Sequence, residues 1–179
     1  MVNSIEGPAR GRGKWGDPSV PKRGWVCDGE EDLGSPMVTC EMCEEQEIRY
    51  VHYMTHTRYP EALACGCVCA GHMEGNEDAA RLRERGMKSR AKRRSAWPDR
   101  KDWHQSQKGN WTIKKDGYQM TVFGEPGRYR VSVSKPLGGG TTFGKRRYDS
   151  LRDAQFGTFD AFQWALRDGT GDGGAARTT

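Results

Sequence analysis

No cysteine lies beyond Cys69, so the remaining 110 residues can form neither a disulfide nor a thiolate metal site. No run approaches the roughly 18 apolar residues of a membrane span. Met1-Val2-Asn3-Ser4 leads into a Gly/Pro/Arg-rich stretch, not the apolar core of a secretory signal. Hydrophobic content is low at 34%, with 24 glycines, which implies that part of the chain never packs. These absences predict a cytoplasmic protein with reduced thiols, no membrane partner and no small-molecule substrate.

The six cysteines that are present fall between Cys27 and Cys69. Five form a tight pattern, Cys40-x-x-Cys43 followed by Cys65-Gly66-Cys67-Val68-Cys69-Ala70-Gly71-His72. A Cys-x-x-Cys pair, a gap and a second Cys/His cluster is metal-ligand spacing, and four such ligands suit tetrahedral Zn2+. A disulfide framework is the weaker reading, because cysteines two residues apart are poorly placed to bridge one another. Cys40 and Cys43 make the knuckle. Cys65, Cys67, Cys69 and His72 compete for the other two places: Cys69-x-x-His72 has one-turn helical spacing, while Cys67 and Cys69 share a face if that segment is extended.

The net charge of +5 conceals a division along the chain. Residues 1–24 carry +3, residues 25–78 carry two Arg against twelve acids (−10), residues 81–101 carry ten Lys/Arg against two acids (+8), and residues 102–179 carry +4. An acidic surface repels phosphate, so nucleic-acid contact is expected from the basic segment and the residues C-terminal to it. The bland alternatives are a solvated helix face, or cations that neutralise the chain's own acidic module.

These patterns predict an α+β protein: a small treble-clef-like zinc module plus an antiparallel β-sheet covered by one helix. The expected divisions are a disordered basic arm (1–24), an acidic zinc-binding module (25–80), a basic helix and linker (81–107), a β-sheet/α module (108–167) and a disordered tail (168–179). Residues 47–54 alternate as a strand that Tyr59-Pro60 interrupts, and a helix begins at Asn76 or Glu77. In the last module, 111–114 and 118–123 flank Asp116-Gly117, a strong hairpin signal. A third strand is read over 129–133 and a fourth over 142–148. Ser150-x-x-Asp153 resembles a capping box, and Leu151, Ala154, Thr158, Phe162 and Ala165 follow helical spacing.

The stretches Gly24-Trp25-Val26-Cys27, Cys40-Glu41-Met42-Cys43-Glu44, Ile48-Arg49-Tyr50-Val51-His52 and Gly66-Cys67-Val68-Cys69-Ala70-Gly71-His72-Met73 resemble a family of small bacterial and mobile-element zinc-cluster proteins with no established activity. The resemblance covers residues 24–166. It implies Cys67 and Cys69 as the second ligand pair, completing a set of Cys40, Cys43, Cys67 and Cys69, with Cys65 a local extra.

The leading functional expectation is a non-catalytic, zinc-stabilised accessory protein that binds DNA or RNA. Its expected contacts are Arg90, Lys92, Arg93 and Arg94 in the basic segment, and Arg128, Arg130 and Arg146 in the sheet module. A second reading is an adaptor whose acidic zinc module docks a basic protein partner. A third is an HNH-like nuclease with His52 as general base and His56, His72 or Asn76 in support. Against it stands a packed His52 that only supports other groups.

Overall fold

The computed structural model describes residues 11–169, with side chains to Arg167. Three α-helices and three antiparallel sheets among these residues make the architecture α+β. The chain divides into two compact units, residues 1–91 and 92–179. Residues 1–10 of the predicted arm and 170–179 of the predicted tail lie outside the described residues.

The first unit holds β1 (Val26–Asp32), β2 (Val38–Thr39), β3 (Glu47–Ile48), β4 (Tyr50–His56), β5 (Tyr59–Cys65), α1 (Cys67–Glu74) and most of α2 (Glu77–Ser95). The predicted strand over 47–54 divides at Arg49, because the chain changes partner there: β3 pairs with β2, and β4 with β1 and β5. As the central strand, β4 buries Val51, His52 and Met54 completely, so alternation gives way where both faces are covered. Tyr59-Pro60 does not end the sheet. It opens the edge strand β5, a position where proline is tolerated. Asn76 caps α2, its Oδ1 accepting from the Ala79 N–H at 3.0 Å. Gly86 lies inside α2, with open space where a Cβ would stand.

Trp25 anchors the start of this core at 2% exposure, its backbone N–H donating to the Met73 carbonyl. Residues 11–24 pack against the module instead of forming a loose arm. Val20 is 3% exposed, Trp15 borders the core, and Arg12 and Lys14 pair with Glu45 and Glu44. Two apolar side chains and complementary charge hold a segment whose composition alone suggests disorder.

The second unit contains β6 (His104–Gln105), β7 (Trp111–Lys115), β8 (Tyr118–Phe123), β9 (Arg130–Ser134), β10 (Thr141–Phe143) and α3 (Leu151–Gly169). The sheet runs β10-β9-β8-β7-β6, all antiparallel neighbours. Asp116 and Gly117 both have positive φ (49° and 80°), the two-residue turn whose twist matches the flanking strands. Ser150 Oγ accepts from the Asp153 N–H at 3.0 Å and starts α3.

Register places Ile113, Met120, Val122, Val131 and Val133 on one face, and all five are buried. Phe159, Phe162, Ala154 and Ala165 of α3 pack in the same core clusters. Trp97, outside the predicted module, belongs to this core. It is 3% exposed, lies at 5.4 Å from Phe159 and 6.0 Å from Phe162, and donates its indole N–H to Thr158 Oγ1 at 3.0 Å. No helix of the described residues is long and apolar enough to cross a membrane.

Candidate metal centre and sheet face

Cys40 and Cys43 lie in a tight turn after β2. The Glu44 N–H donates back to the Cys40 carbonyl at 2.8 Å, with Glu44 at φ 57°. Glu41 ties this turn to the end of β5: its N–H donates to the Ala64 carbonyl at 2.9 Å, and its carboxylate accepts from the Ala64 N–H. Cys65, next in the chain, is thereby brought against Cys40. Cys69 arrives from the first turns of α1.

The Sγ atoms of Cys40, Cys43 and Cys69 lie within 4.8 Å of one another, and all three residues are buried. The Cys40 sulfur accepts from the Gly66 N–H at 3.4 Å, with the thiols of Cys65 and Cys69 close by, and the Cys65 thiol meets Met73 Sδ at 3.6 Å. The neighbouring thiols of Cys65 and Cys69 hold Cys40 far below the ordinary thiol range. The nearness of the Cys40 sulfur, and then burial, push Cys65 and Cys69 up. Cys40, Cys43 and Cys69 are thus a buried donor set that can hold a metal ion in place of thiol protons. All six cysteines are free.

The remaining cysteines lie elsewhere. Cys27 donates to the Gly29 carbonyl at 3.3 Å. Cys67 stands apart from the Cys40 cluster and groups with His52 and Glu84, ligand atoms again within 4.8 Å. Burial, and then its hydrogen bond to Glu84, push the Cys67 thiol up to about 12. The segment that suggested a shared face for Cys67 and Cys69 is helical, not extended.

Histidine placement separates the roles expected of these rings. His52 is fully buried, and burial followed by the nearby Arg83 lowers its pKa. His56 packs against Trp25 at 5.3 Å and accepts from the Arg58 N–H at 3.0 Å. His72 lies edge-on to Trp15 at 6.5 Å, with Nδ1 at 3.7 Å from Glu77 and Nε2 buried without a partner among the described residues. The Trp15 indole N–H lies near the Cys69 sulfur without a well-formed hydrogen bond.

The cations expected to meet phosphate fall into two groups. Arg81, Arg83, Lys88 and Arg90 pair with Glu77, Glu74, Glu84 and Glu30 inside the first unit. Arg94 pairs with Asp160 inside the second. Lys92 and Arg93 are exposed, with no ion pair among the described residues. In the sheet unit, Arg130 lies 5.8 Å from the Phe123 ring and Arg146 5.2 Å from the Tyr148 ring, while Arg128 is exposed.

The sheet face opposite α3 is a feature that composition does not reveal. Register puts Thr112, Lys114, Gln119, Thr121, Phe123, Arg130, Ser132, Ser134, Thr141 and Phe143 together on it. Strands β6–β10 contain no carboxylate. Phe143 is 59% exposed and meets Phe123 edge-on at 5.9 Å. Tyr118, Tyr129 and Tyr148 border the apolar core. Compared with family models, curated proteins and solved structures, this chain matches none.

Proposed function

We propose that the cysteine cluster holds a structural Zn2+ through Cys40, Cys43, Cys65 and Cys69, and that the protein binds nucleic acid through the sheet face of its second unit that lies opposite α3. The observation that carries the binding role is that face, whose strands contribute no carboxylate and which carries Lys114 on β7, Arg130 on β9 and the exposed Phe143 on β10 around the buried Thr112 and Ser132. Cations meet phosphates, hydroxyls and amides supply further donors, and an exposed aromatic ring offers a stacking surface.

A knuckle turn, a β-hairpin and a helix that bring buried thiols together support reading this unit as a treble-clef-like zinc module. Four thiolates suit zinc, and such sites contribute folding energy directly. Cys65 replaces Cys67 in the set implied by the family resemblance, because it is buried beside Cys40 while Cys67 groups with His52 and Glu84. Its thiol, now at 3.6 Å from Met73 Sδ, turns to the ion on binding. His72 is the rival for the fourth place, its buried Nε2 unpartnered. Cobalt substitution separates them: Cys65→Ser is expected to abolish the sulfur-only spectrum, and His72→Ala to leave it intact. The reverse result makes His72 the ligand.

The acidic-adaptor reading loses support where the module's carboxylates pair internally, among them Glu30, Asp32, Glu74 and Glu77. The nuclease reading loses support because a fully buried His52 offers no surface to a phosphate. Binding is tested by a salt titration with fluorescent DNA and RNA oligonucleotides. Lys114→Ala with Arg130→Ala is expected to lower the salt slope by about two, about one per lost phosphate contact. Phe143→Ala is expected to weaken binding to single strands at every salt concentration. No binding by the parent chain in dilute salt would return the adaptor to first place.

A further inference from the structure

Beside the cysteine cluster the first unit contains a second group of metal-type donors that the proposed zinc site does not use. His52 comes from the central strand β4, Cys67 from the start of α1 and Glu84 from the third turn of α2. Their ligand atoms lie within 4.8 Å of one another.

Two further observations point to a ligand site. His52 is 0% exposed, and its Nε2 has no hydrogen-bond partner among the described residues. Its Nδ1 has only a long contact, 3.4 Å, from Arg83, whose guanidinium also binds Glu74. Either neutral tautomer therefore leaves Nε2 with a buried, unsatisfied N–H or lone pair, which ordinarily costs free energy. A hollow of about 300 Å3 also opens beside the group, lined by Cys67, Val68, Arg81, Glu84, Arg85 and Lys88. It gives an ion a path from solvent and leaves room for a fourth, solvent-derived ligand.

We infer that His52, Cys67 and Glu84 form a second metal site, for a divalent transition ion of intermediate softness such as Zn2+ or Co2+. An imidazole, a thiolate and a carboxylate are the donor types such ions share, and hard Mg2+ and Ca2+ disfavour the first two. On binding, the Cys67 thiol loses its proton to water. The thiolate and the Glu84 carboxylate then balance the ion's two positive charges. Lys88, now paired with Glu84 at 2.5 Å, and Arg83 remain as outer groups that orient the ligands. Three protein donors with an open fourth position make this site exchangeable, unlike a closed set of four thiolates.

The test is cobalt stoichiometry on the full chain, by equilibrium dialysis with metal analysis and visible absorption. The parent is expected to take two equivalents, the second with a mixed nitrogen–sulfur signature. Glu84→Gln and Cys67→Ser are each expected to take one, retaining the spectrum of the cysteine cluster and the parent circular dichroism. Glu84→Gln also separates this site from one in which Cys67 joins Cys40, Cys43 and Cys69, because that arrangement does not need the carboxylate. A parent that takes only one equivalent overturns the proposal. So does a Glu84→Gln or Cys67→Ser chain that takes as many as the parent.

Discussion

Gly157 sits in the middle of α3, where glycine costs a helix about 1 kcal/mol relative to alanine. The Tyr148 ring explains its presence: a Cβ at Gly157 would stand 2.3 Å from Tyr148 Cζ and Oη. Gly157→Ala thus gains helix propensity but forces the ring away, and overpacking of this kind costs about 1–3 kcal/mol. A lower melting temperature is expected. In a Tyr148→Ala background the same change is expected to raise it, a reversal that a double-mutant cycle measures directly. Thr158 supports a second residue-scale expectation. Its hydroxyl accepts the buried Trp97 N–H and donates to the Gln155 carbonyl at 2.7 Å, so Thr158→Val strands the indole donor. The loss expected in thermal or denaturant unfolding is about 1–3 kcal/mol.

At the scale of elements, α2 shows why a cationic run is not one functional unit. Glu77 and Asp78 occupy its first turn and Lys92, Arg93 and Arg94 its last, the order that complements the helix dipole. Most of the cations between are paired with the chain's own carboxylates, and only register and packing decide which. The four cations Arg90, Lys92, Arg93 and Arg94 are therefore not expected to act alike. Lys92→Ala with Arg93→Ala tests phosphate contact and, if α2 joins the sheet face in binding, lowers the salt slope by about two. Arg90→Ala with Arg94→Ala is expected to leave that slope unchanged. It should lower stability slightly, about 0.2–1 kcal/mol for each exposed pair. Equal effects of the two pairs in the salt titration would contradict this division.

At the scale of the molecule, the boundary lies within α2 and not after it. The second unit needs Trp97 to complete its core. A 92–169 fragment, which contains no cysteine, is expected to fold without metal and to ignore chelator. A 108–167 fragment lacks Trp97, and truncating a buried tryptophan costs about 3–5 kcal/mol, enough to unfold a core this small. Circular dichroism of the two fragments checks this, and a cooperative melt of 108–167 equal to that of 92–169 would refute it. Chelator added to the full chain is expected to remove signal from the first unit alone.

Local chemistry was legible in the residues themselves. Asp116-Gly117, the alternation of β8 and β9, the Ser150 cap and the Cys40-x-x-Cys43 turn each depend on neighbours a few positions away. Other elements were not legible. Helix α1 contains two Cys, one Val and one Gly in eight residues and lacks an amphipathic stripe, and the short β2 and β6 exist only through their partners. Cys67 and Cys69 are separated the same way, by conformation and not by spacing. In an extended segment Cys67 and Cys69 would share a face; in α1, at about 100° per residue, they point about 200° apart. Cys69 therefore joins Cys40 and Cys43, while Cys67 turns toward His52 and Glu84, two residues far from it in sequence that only the folded chain brings near.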